Sequence, residues 1–432
     1  MDTRTNHALI RFGLGPRHGE TPPRDPEAWL AAQLNGPDPV LAIPAPSVAD
    51  GIRLLHYDRE DSRLRGAEPI RRVGAMFAAE MTAITNNLLN TPVPFRERLV
   101  WFWANHFTVS LRFGGEIMAL IPSYIREAIR PHVTGRFGDM LSAVMHHPAM
   151  LTYLDNIVSA GPDSLIGRKL NRGINENLAR ESLELHTVTP AAGYTQNDVT
   201  EYAKIMTGWT SEVREFSGFT FRADGHQPGP KTVMGRTFPA GLEGGEQMLA
   251  FLAAHPMTHR NIATKFVRHF VADDPPAGAV RRIETVLHDT SGDLRAASLA
   301  TAALPDAWKS LTKIRSPAEY VFAVLRGLGA TAFPATELGS ALDVLGEPRF
   351  LAPFPNGYPD IAAAWTSGEA LMRRVDWVFR QMPYYTALSA EDLAKELLGG
   401  LLSSETLNQI QHAASARDAL TLLLTSPEFI RR

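Results

Sequence analysis

The sequence predicts an all-α protein, one large assembly of helices with a single small β-hairpin insertion. Apolar residues recur at three- and four-residue spacing through most of the 432 residues, which is the pattern of amphipathic helices. The 33 Gly and 31 Pro residues stand mainly between these patterns and indicate many short connections. Strand signals are few, and the clearest one, residues 216–235, alternates around a Gly- and Pro-rich turn typical of a hairpin.

The predicted helices follow one another along the whole chain. The first begins at Asp25, the expected N-cap, with Pro26 in the first helical position. The others are expected at about 70–91, 94–107, 174–186, 196–207, 243–254, 260–271, 280–287, 294–303, 317–328, 368–379, 390–398 and 404–413. We expect one domain, 1–432, in which residues 1–210 carry the polar site and residues 240–432 form a helical C-terminal part.

Composition excludes several kinds of chemistry and of binding partner. Lys plus Arg total 43 and Asp plus Glu 46, so the net charge is −3. The sequence therefore shows no excess of positive charge that would favour binding to nucleic acid or to an anionic membrane. Cysteine is absent from the sequence, which excludes disulfides, thiolate metal sites and cysteine nucleophiles. The N-terminus lacks the apolar core of a secretory signal, and no apolar run could span a bilayer, so we expect a cytoplasmic protein.

The densest polar cluster is NRGINENLARESLELHT, residues 171–187. In a helix, Asn177, Glu181 and Glu184 share one face because their spacings are four and three residues. Two carboxylates at that spacing repel each other unless a metal, an arginine or a shared proton compensates. The segment is therefore either an acid/base or metal site, or a solvated helix face with surface ion pairs. The neighbouring candidates are Asn175, Arg180 and His186.

A second cluster, WFWANHFT at residues 101–108, closes an aromatic helix. Asn105 and His106 could reach from the helix end into a pocket walled by Trp103, because binding sites usually combine apolar walls with a few polar groups. The alternative is a core helix in which the backbone satisfies His106. Three further candidates lie in or beside Gly-containing turns: Trp209, His226 and Lys231. The irregular segments 155–173 and 346–360 are long enough to be functional loops.

These stretches together resemble the bacterial family called domain of unknown function 1800. The matching motifs, in chain order, are FGLGPR, RERLVWFWANHFTVS, HHPAMLTYLDN, NRGINENLARESLELHT, GYTQNDVTEYAKIMTGW, HQPGPKTVMG, RNIATKFVRHFVADDPP, SPAEYVFAVLRGLG, PFPNGYPD and LLTSPEFIRR. The resemblance implies a mostly helical protein and confers no activity. The family's turn usually reads His-Asp-x-Gly-x-Lys, and here Gln227 stands where that Asp would be. If the Asp were a metal ligand, the site of this chain would be altered.

The leading functional hypothesis is a hydrolase that acts on a small molecule or a glycan. Two carboxylates in different environments can take separate acid and base roles. The candidate catalytic residues are Glu181, Glu184, His186 and His106. The candidate substrate-binding residues are Asn105, Asn175, Asn177, Arg180, Trp103, Trp209, His226 and Lys231. The cofactor is left open, and Glu181, Glu184 and His106 are the candidate ligands of a divalent metal.

Two other classes of function compete with the hydrolase. A non-catalytic helical scaffold or binding protein would explain the many helices that carry no cluster of polar residues. The third class is a protein that binds a redox cofactor non-covalently. The enzyme hypothesis makes a geometric demand that the other two do not make. It requires five side chains to converge on one pocket: Glu181, Glu184, His106, Asn105 and His226.

Overall fold

A computed structural model describes residues 3–39, 41, 43–65, 71–212 and 218–432. Within these ranges the chain forms 22 α-helices, several of them extended or joined by short 3₁₀ or π turns. In chain order they are α1 (Thr3–His7), α2 (Pro26–Asn35), α3 (Val48–Arg65), α4 (Arg72–Asn90), α5 (Pro94–His106), α6 (Gly115–Ser123), α7 (Phe137–His146), α8 (Pro148–Tyr153), α9 (Leu165–Leu170), α10 (Asn177–Glu181), α11 (Gln196–Met206), α12 (Leu242–Ala254), α13 (Pro256–Phe270), α14 (Ala277–Asp289), α15 (Leu294–Ala302), α16 (Pro317–Gly327), α17 (Ala335–Leu345), α18 (Gly368–Gln381), α19 (Ala390–Leu398), α20 (Ser404–Gln411), α21 (Ala416–Leu424) and α22 (Pro427–Ile430).

The predicted all-α class is confirmed, and local chemistry explains where several helices begin. The Asp25 side chain accepts hydrogen bonds from the backbone N–H groups of Glu27 and Ala28, as an N-cap should. Thr195 and Asp198 form a reciprocal capping box at the start of α11. The helices expected from apolar periodicity are all present, with bounds that shift by about one turn or less.

The β insertion consists of two antiparallel hairpins, so it extends beyond the expected 216–235, of which 216–217 lie outside the described residues. Strand β1 (Trp209–Glu212) pairs with β2 (Gly218–Phe221). Strand β3 (Lys231–Val233) pairs with β4 (Arg236–Phe238) through a two-residue turn in which both residues have positive φ. The intervening Pro228 and Pro230 have no N–H to donate to a ladder, which separates the two hairpins.

The polar helix begins three residues later than the predicted 174–186. The Asn175 side chain accepts a hydrogen bond from the Asn177 N–H at 2.9 Å, and this local turn replaces the first helical residues. Helix α10 covers Asn177–Glu181, and a π turn covers Ser182–His186. Because the π turn is wider, the side chains that follow Glu181 depart from α-helical spacing.

Two hydrophobic cores meet at helix α5. The larger core draws on residues between 8 and 307 and includes Trp103, whereas the smaller one gathers α4 and α16 to α22. Trp101 on α5 makes an edge-to-face contact with Phe322 of the smaller core, with the ring centroids 5.2 Å apart. The expected division into parts 1–210 and 240–432 stays a prediction. No helix in the described ranges has both the length and the apolar character needed to cross a bilayer.

Candidate functional site

A cavity of about 420 Å³ opens where the two cores meet. Its walls come from α5, from α13, from the start of α16 and from the irregular segment 346–361. This volume falls within the usual range of small-molecule sites, roughly 300–1,000 Å³. Apolar side chains form much of its lining, and they include Trp101, Phe102, Phe322 and Phe350.

The end of α5 holds the segment 346–361 against the cavity. The Asn105 amide donates to the Tyr358 carbonyl at 2.9 Å and accepts from the Tyr358 N–H at 2.8 Å. Gly357 has a φ of 75°, and a Cβ there would lie 2.5 Å from the Asn105 side-chain oxygen. Only glycine fits this close approach without displacement. Asn105 lines the cavity, but both polar atoms of its side chain are committed to positioning the loop.

His106, the next residue, forms a pair with Lys265 of α13 at the cavity wall. The Lys265 ammonium donates to His106 Nδ1 at 2.9 Å and to the Leu185 carbonyl at 3.1 Å. His106 Nε2 lies 3.1 Å from the His186 carbonyl, so these partners assign the imidazole proton to Nε2. The pair thus joins α5, α13 and the end of the polar helix.

Burial tunes both members of this pair. It lowers the pKa of Lys265 to about 8, with a further contribution from the nearby Arg268. It also holds the pKa of His106 well below its usual range, assisted by the charge of Lys265 and by His186. At neutral pH His106 is therefore a neutral acceptor, and Lys265 loses its proton more easily than an exposed lysine does.

Lys265 is the residue that the sequence reasoning missed. It lies four residues after Asn261 and four before His269, so the three share one face of α13. Asn261 donates to the Thr187 carbonyl at 2.8 Å, and His269 lies 2.7 Å from a carboxylate oxygen of Asp360. Three polar residues at four-residue spacing on one face of the helix were the signal that could have identified it.

The cavity wall beside His269 contains a buried ion network. Asp360 contacts His269 at 2.7 Å, Arg432 at 2.9 Å and Lys313 at 3.3 Å. Burial favours the neutral acid, but the neighbours His269, Arg432 and Lys313 outweigh it and hold the pKa of Asp360 well below its usual range. Glu319 pairs in the same network with Arg98 and Arg432. The network ties the C-terminal residue to α13 and α16.

His186 and Trp103 are packed inside the larger core, and neither lines this cavity. The His186 ring lies 5.1 Å from that of Phe107, and its two nitrogens make no hydrogen bond to any residue that the structure describes. Burial lowers the pKa of His186 to about 3, with a smaller contribution from Lys265. Trp103 packs edge to face on His106 at 5.2 Å, so it supports the imidazole from behind.

The carboxylate pair faces away from the cavity. Glu184 is exposed and Glu181 is partly exposed, and neither lines the cavity. Burial and then the charge of Glu184 raise the pKa of Glu181. Arg180 donates to Glu176 at 2.8 Å and to Gln196 at 3.0 Å, which ties α10 to α11. The remaining candidates on this helix, Asn175 and Asn177, take part in its N-terminal turn.

His226 and Lys231 form a second histidine–lysine pair, in the turn between the two hairpins. Lys231 Nζ lies 3.1 Å from His226 Nε2, which also accepts from the Gly241 N–H at 2.8 Å. His226 Nδ1 donates to the Thr207 carbonyl at 2.8 Å. Burial lowers the pKa of Lys231 to about 8. The cavity lining includes neither residue.

Gln227 and Trp209 complete this turn region. Gln227 donates to the Asp163 carboxylate at 2.9 Å and accepts from the Asp163 N–H at 3.1 Å, so it fastens the irregular segment 155–173 to the turn. Gly161 passes so close that a Cβ there would lie 2.5 Å from the Gln227 Cα. Trp209 is fully buried and packs at a tilt against His146, with the ring centroids 4.4 Å apart.

Of the five side chains that the enzyme hypothesis requires in one pocket, two lie at this cavity. Asn105 and His106 line the cavity, whereas Glu181, Glu184 and His226 lie elsewhere. Within the described ranges, no group of three or more His, Asp or Glu side chains is arranged to hold a metal ion. What the arrangement offers chemically is a buried amine and a neutral imidazole on the wall of a largely apolar cavity.

The chain belongs to a family described as "Protein of unknown function (DUF1800)", whose model matches residues 7–431. The match covers nearly the whole chain, so it includes both histidine–lysine pairs and the segment 346–361. Neither the comparison with curated proteins nor the comparison with solved structures found a match.

Proposed function

We propose that the protein is a hydrolase that binds a small organic substrate in the cavity, with Lys265 as the general base. One observation carries the proposal: a lysine whose pKa is lowered to about 8 is hydrogen-bonded to a neutral histidine on the cavity wall. A general base works best when its pKa lies near the working pH. Perturbed ionisable groups that line clefts are frequent at functional sites.

The chemistry follows from the contacts of the amine. In its neutral form Lys265 can donate to His106 and to the Leu185 carbonyl, which leaves the nitrogen lone pair free to accept a proton. A water molecule that attacks an ester carbonyl gives its proton to this amine, and the resulting ammonium returns the proton to the leaving alcohol. One water is consumed for each bond broken. His106 acts as a positioning residue, because it touches the base and fixes its orientation.

The narrower expectations of a glycan substrate and a divalent metal receive less support. Glu181 and Glu184 could still serve as an acid and a base at the surface of α10, and the raised pKa of Glu181 favours that use. Both ring nitrogens of His106 are engaged in hydrogen bonds, and the two glutamates lie outside the cavity lining, which disfavours the three as ligands of one metal.

A non-catalytic scaffold is the second candidate function. It is favoured by the burial of His106, which is 5% exposed, and by the buried ion network around Asp360. Buried polar networks can rigidify a core without any catalytic role. The two candidates differ in one measurable respect, because only the hydrolase requires turnover that depends on Lys265.

The test is hydrolysis by the full-length protein of p-nitrophenyl esters of increasing acyl length, with p-nitrophenyl glycosides assayed in parallel. We expect ester hydrolysis above the buffer background, reduced about 100-fold or more in Lys265→Met because a positioned base contributes at least that much. Lys231→Met is the matched control, since it removes a lysine with the same lowered pKa away from the cavity.

Circular dichroism establishes that each variant is folded before rates are compared. Equal rates of ester hydrolysis by the wild type and by folded Lys265→Met would refute the role of Lys265 as the general base. A complete absence of hydrolysis across the panel would favour the scaffold. Glycoside turnover that disappears in Glu181→Gln would move the site to the surface of α10.

A further inference from the structure

Arg349 enters the cavity as a cation without a dedicated counterion. Its guanidinium carbon lies 6.0 Å from the ring centroid of Trp101 and 5.4 Å from that of Phe350. The guanidinium forms no ion pair or hydrogen bond with the residues that the structure describes, and one of its terminal nitrogens is buried. Burial lowers the pKa of Arg349 to about 10, which still leaves the group charged at neutral pH.

The two carboxylates whose charges act most on Arg349 are already paired with other arginines. Glu80 accepts two hydrogen bonds from Arg126, at 2.8 and 2.7 Å. Glu97 accepts two from Arg130, at 2.8 and 2.6 Å. Bidentate pairs of this kind use both carboxylate oxygens, and Arg130 also pairs with Asp38 at 2.9 Å. Neither glutamate is therefore free to neutralise Arg349.

The third neighbouring acid, Glu347, is a weak counterion. It accepts a hydrogen bond from the Ala318 N–H at 2.8 Å, in the first turn of α16. Burial raises the pKa of Glu347 to about 7, so near neutral pH the group is protonated for much of the time. Its carboxyl group is held toward the helix start, and the net charge at this end of the cavity remains positive.

The backbone beside Arg349 is strained in the way that functional positions often are. Phe350 has a φ of 55°, which is an unfavourable region of backbone conformation for a bulky residue. The Leu111 N–H donates to its carbonyl at 2.8 Å and helps to hold this conformation.

We propose that Arg349 binds the carboxylate of a monoanionic ligand whose apolar body fills the cavity. A guanidinium offers two parallel N–H donors that match a carboxylate, and the neighbouring rings of Trp101 and Phe350 provide apolar surroundings that strengthen such a pair. A monoanionic carboxylate matches the one guanidinium at this end of the cavity that is unpaired within the described part of the chain. The inference deepens the proposed function, since the substrates of Lys265 would then be esters that carry a free carboxylate.

Binding is tested without turnover, by calorimetric titration of the full-length protein with octanoate and with 1-octanol. The two probes share an apolar chain and differ in charge. We expect octanoate to bind about tenfold to a hundredfold more tightly than octanol, which is the usual range for a hydrogen bond to a charged group. In Arg349→Gln this preference should disappear, and in Arg349→Lys it should persist in part. Arg373→Gln is the control, because it removes an exposed arginine paired with Glu369.

Equal affinity of the wild type for both probes would overturn the proposal, as would unchanged octanoate affinity in Arg349→Gln. If Arg349→Gln does not fold, the affinities of the wild type and of Arg349→Lys for octanoate and 1-octanol still test the proposal. The outcome is separable from that of the hydrolase proposal. Octanoate binding without hydrolysis of either neutral or carboxylate-bearing p-nitrophenyl esters would refute only the hydrolase, whereas hydrolysis of neutral esters without octanoate preference would refute only the anion site.

Discussion

The molecule contains two histidine–lysine pairs that are alike in chemistry and differ in access. In each pair a lysine Nζ lies about 3 Å from a ring nitrogen of a neutral histidine, at 2.9 Å for Lys265 and His106 and at 3.1 Å for Lys231 and His226. In each, burial lowers the pKa of the lysine to about 8. The first pair lines the cavity between the two cores, whereas the second closes a turn of the β insertion.

The difference lies in what the remaining polar atoms do. His226 Nε2 also accepts from the Gly241 N–H, and Lys231 also donates to the Gln227 carbonyl, so the second pair fastens three backbone segments together. The amine of Lys265 has two acceptors and faces a space large enough for a ligand. A lowered pKa is therefore a sign of burial in both pairs, and access to the cavity is what makes one of them a candidate for catalysis.

The largest expected effect is on the pH dependence of turnover. Ester hydrolysis by the wild type should rise with pH and level off above about 8, because Lys265 acts in its unprotonated form. In Lys265→Met the rate should fall about 100-fold or more and lose this dependence, while Lys231→Met should retain both. A stopped assay between pH 6 and 10 measures this. An identical profile in both variants would erase the distinction between the pairs.

The second largest expected effect is on the free energy of unfolding. His226→Ala should destabilise the fold by about 2–4 kcal/mol, because it leaves the Gly241 N–H and the Thr207 carbonyl without their partner and removes one of the two acceptors of the buried Lys231 amine. His106→Ala should cost less, about 1–2 kcal/mol, because Lys265 keeps its bond to the Leu185 carbonyl and borders the cavity. Urea unfolding of the two variants provides the comparison. A reversed order would mean that the cavity pair is the structural one.

A third prediction depends on the direction in which burial shifts the pKa of Lys231. Below about pH 8 the folded and unfolded states both hold the Lys231 proton, so the full penalty of burying its charge is present. Above that pH the folded protein releases the proton first, so the free energy of unfolding should rise toward the unfolded pKa of about 10.4. Relative to Lys231→Met, the wild type should gain about 1–2 kcal/mol between pH 8 and 10. A constant difference between the two proteins would show that the shift is absent.

The smallest effect is expected at the position where the sequence departs from the family turn. Gln227→Asp would place a second acid beside Asp163 and remove both hydrogen bonds that join the turn to the segment 155–173. We expect a loss of about 1 kcal/mol in unfolding free energy and no change in ester turnover. Thermal unfolding and the ester assay measure the two quantities. A change in turnover without a change in stability would give the turn a functional role.

Much of the fold could be predicted because its signals are local. Asp25 with Pro26, and Thr195 with Asp198, specify helix starts through bonds that span only a few residues. The polar helix was misplaced at its start because the turn at Asn175 competes with helical hydrogen bonding, and apolar periodicity does not register that competition. His106 and Asn105 were identified as site candidates, but their partners Lys265 and Tyr358 lie 159 and 253 residues away.

The sequence by itself determined the all-α class, the small β insertion, the family and the lack of cysteine chemistry. Each of these depends on composition, short-range periodicity or ordered motifs. Tertiary structure alone decided which polar residues share a site. It turned Glu181 and Glu184 outward, sealed His226 and Lys231 into a turn, and brought His106, Lys265 and Arg349 to one cavity. Burial and distance set the reactivity of these groups, and both are properties of the packed chain.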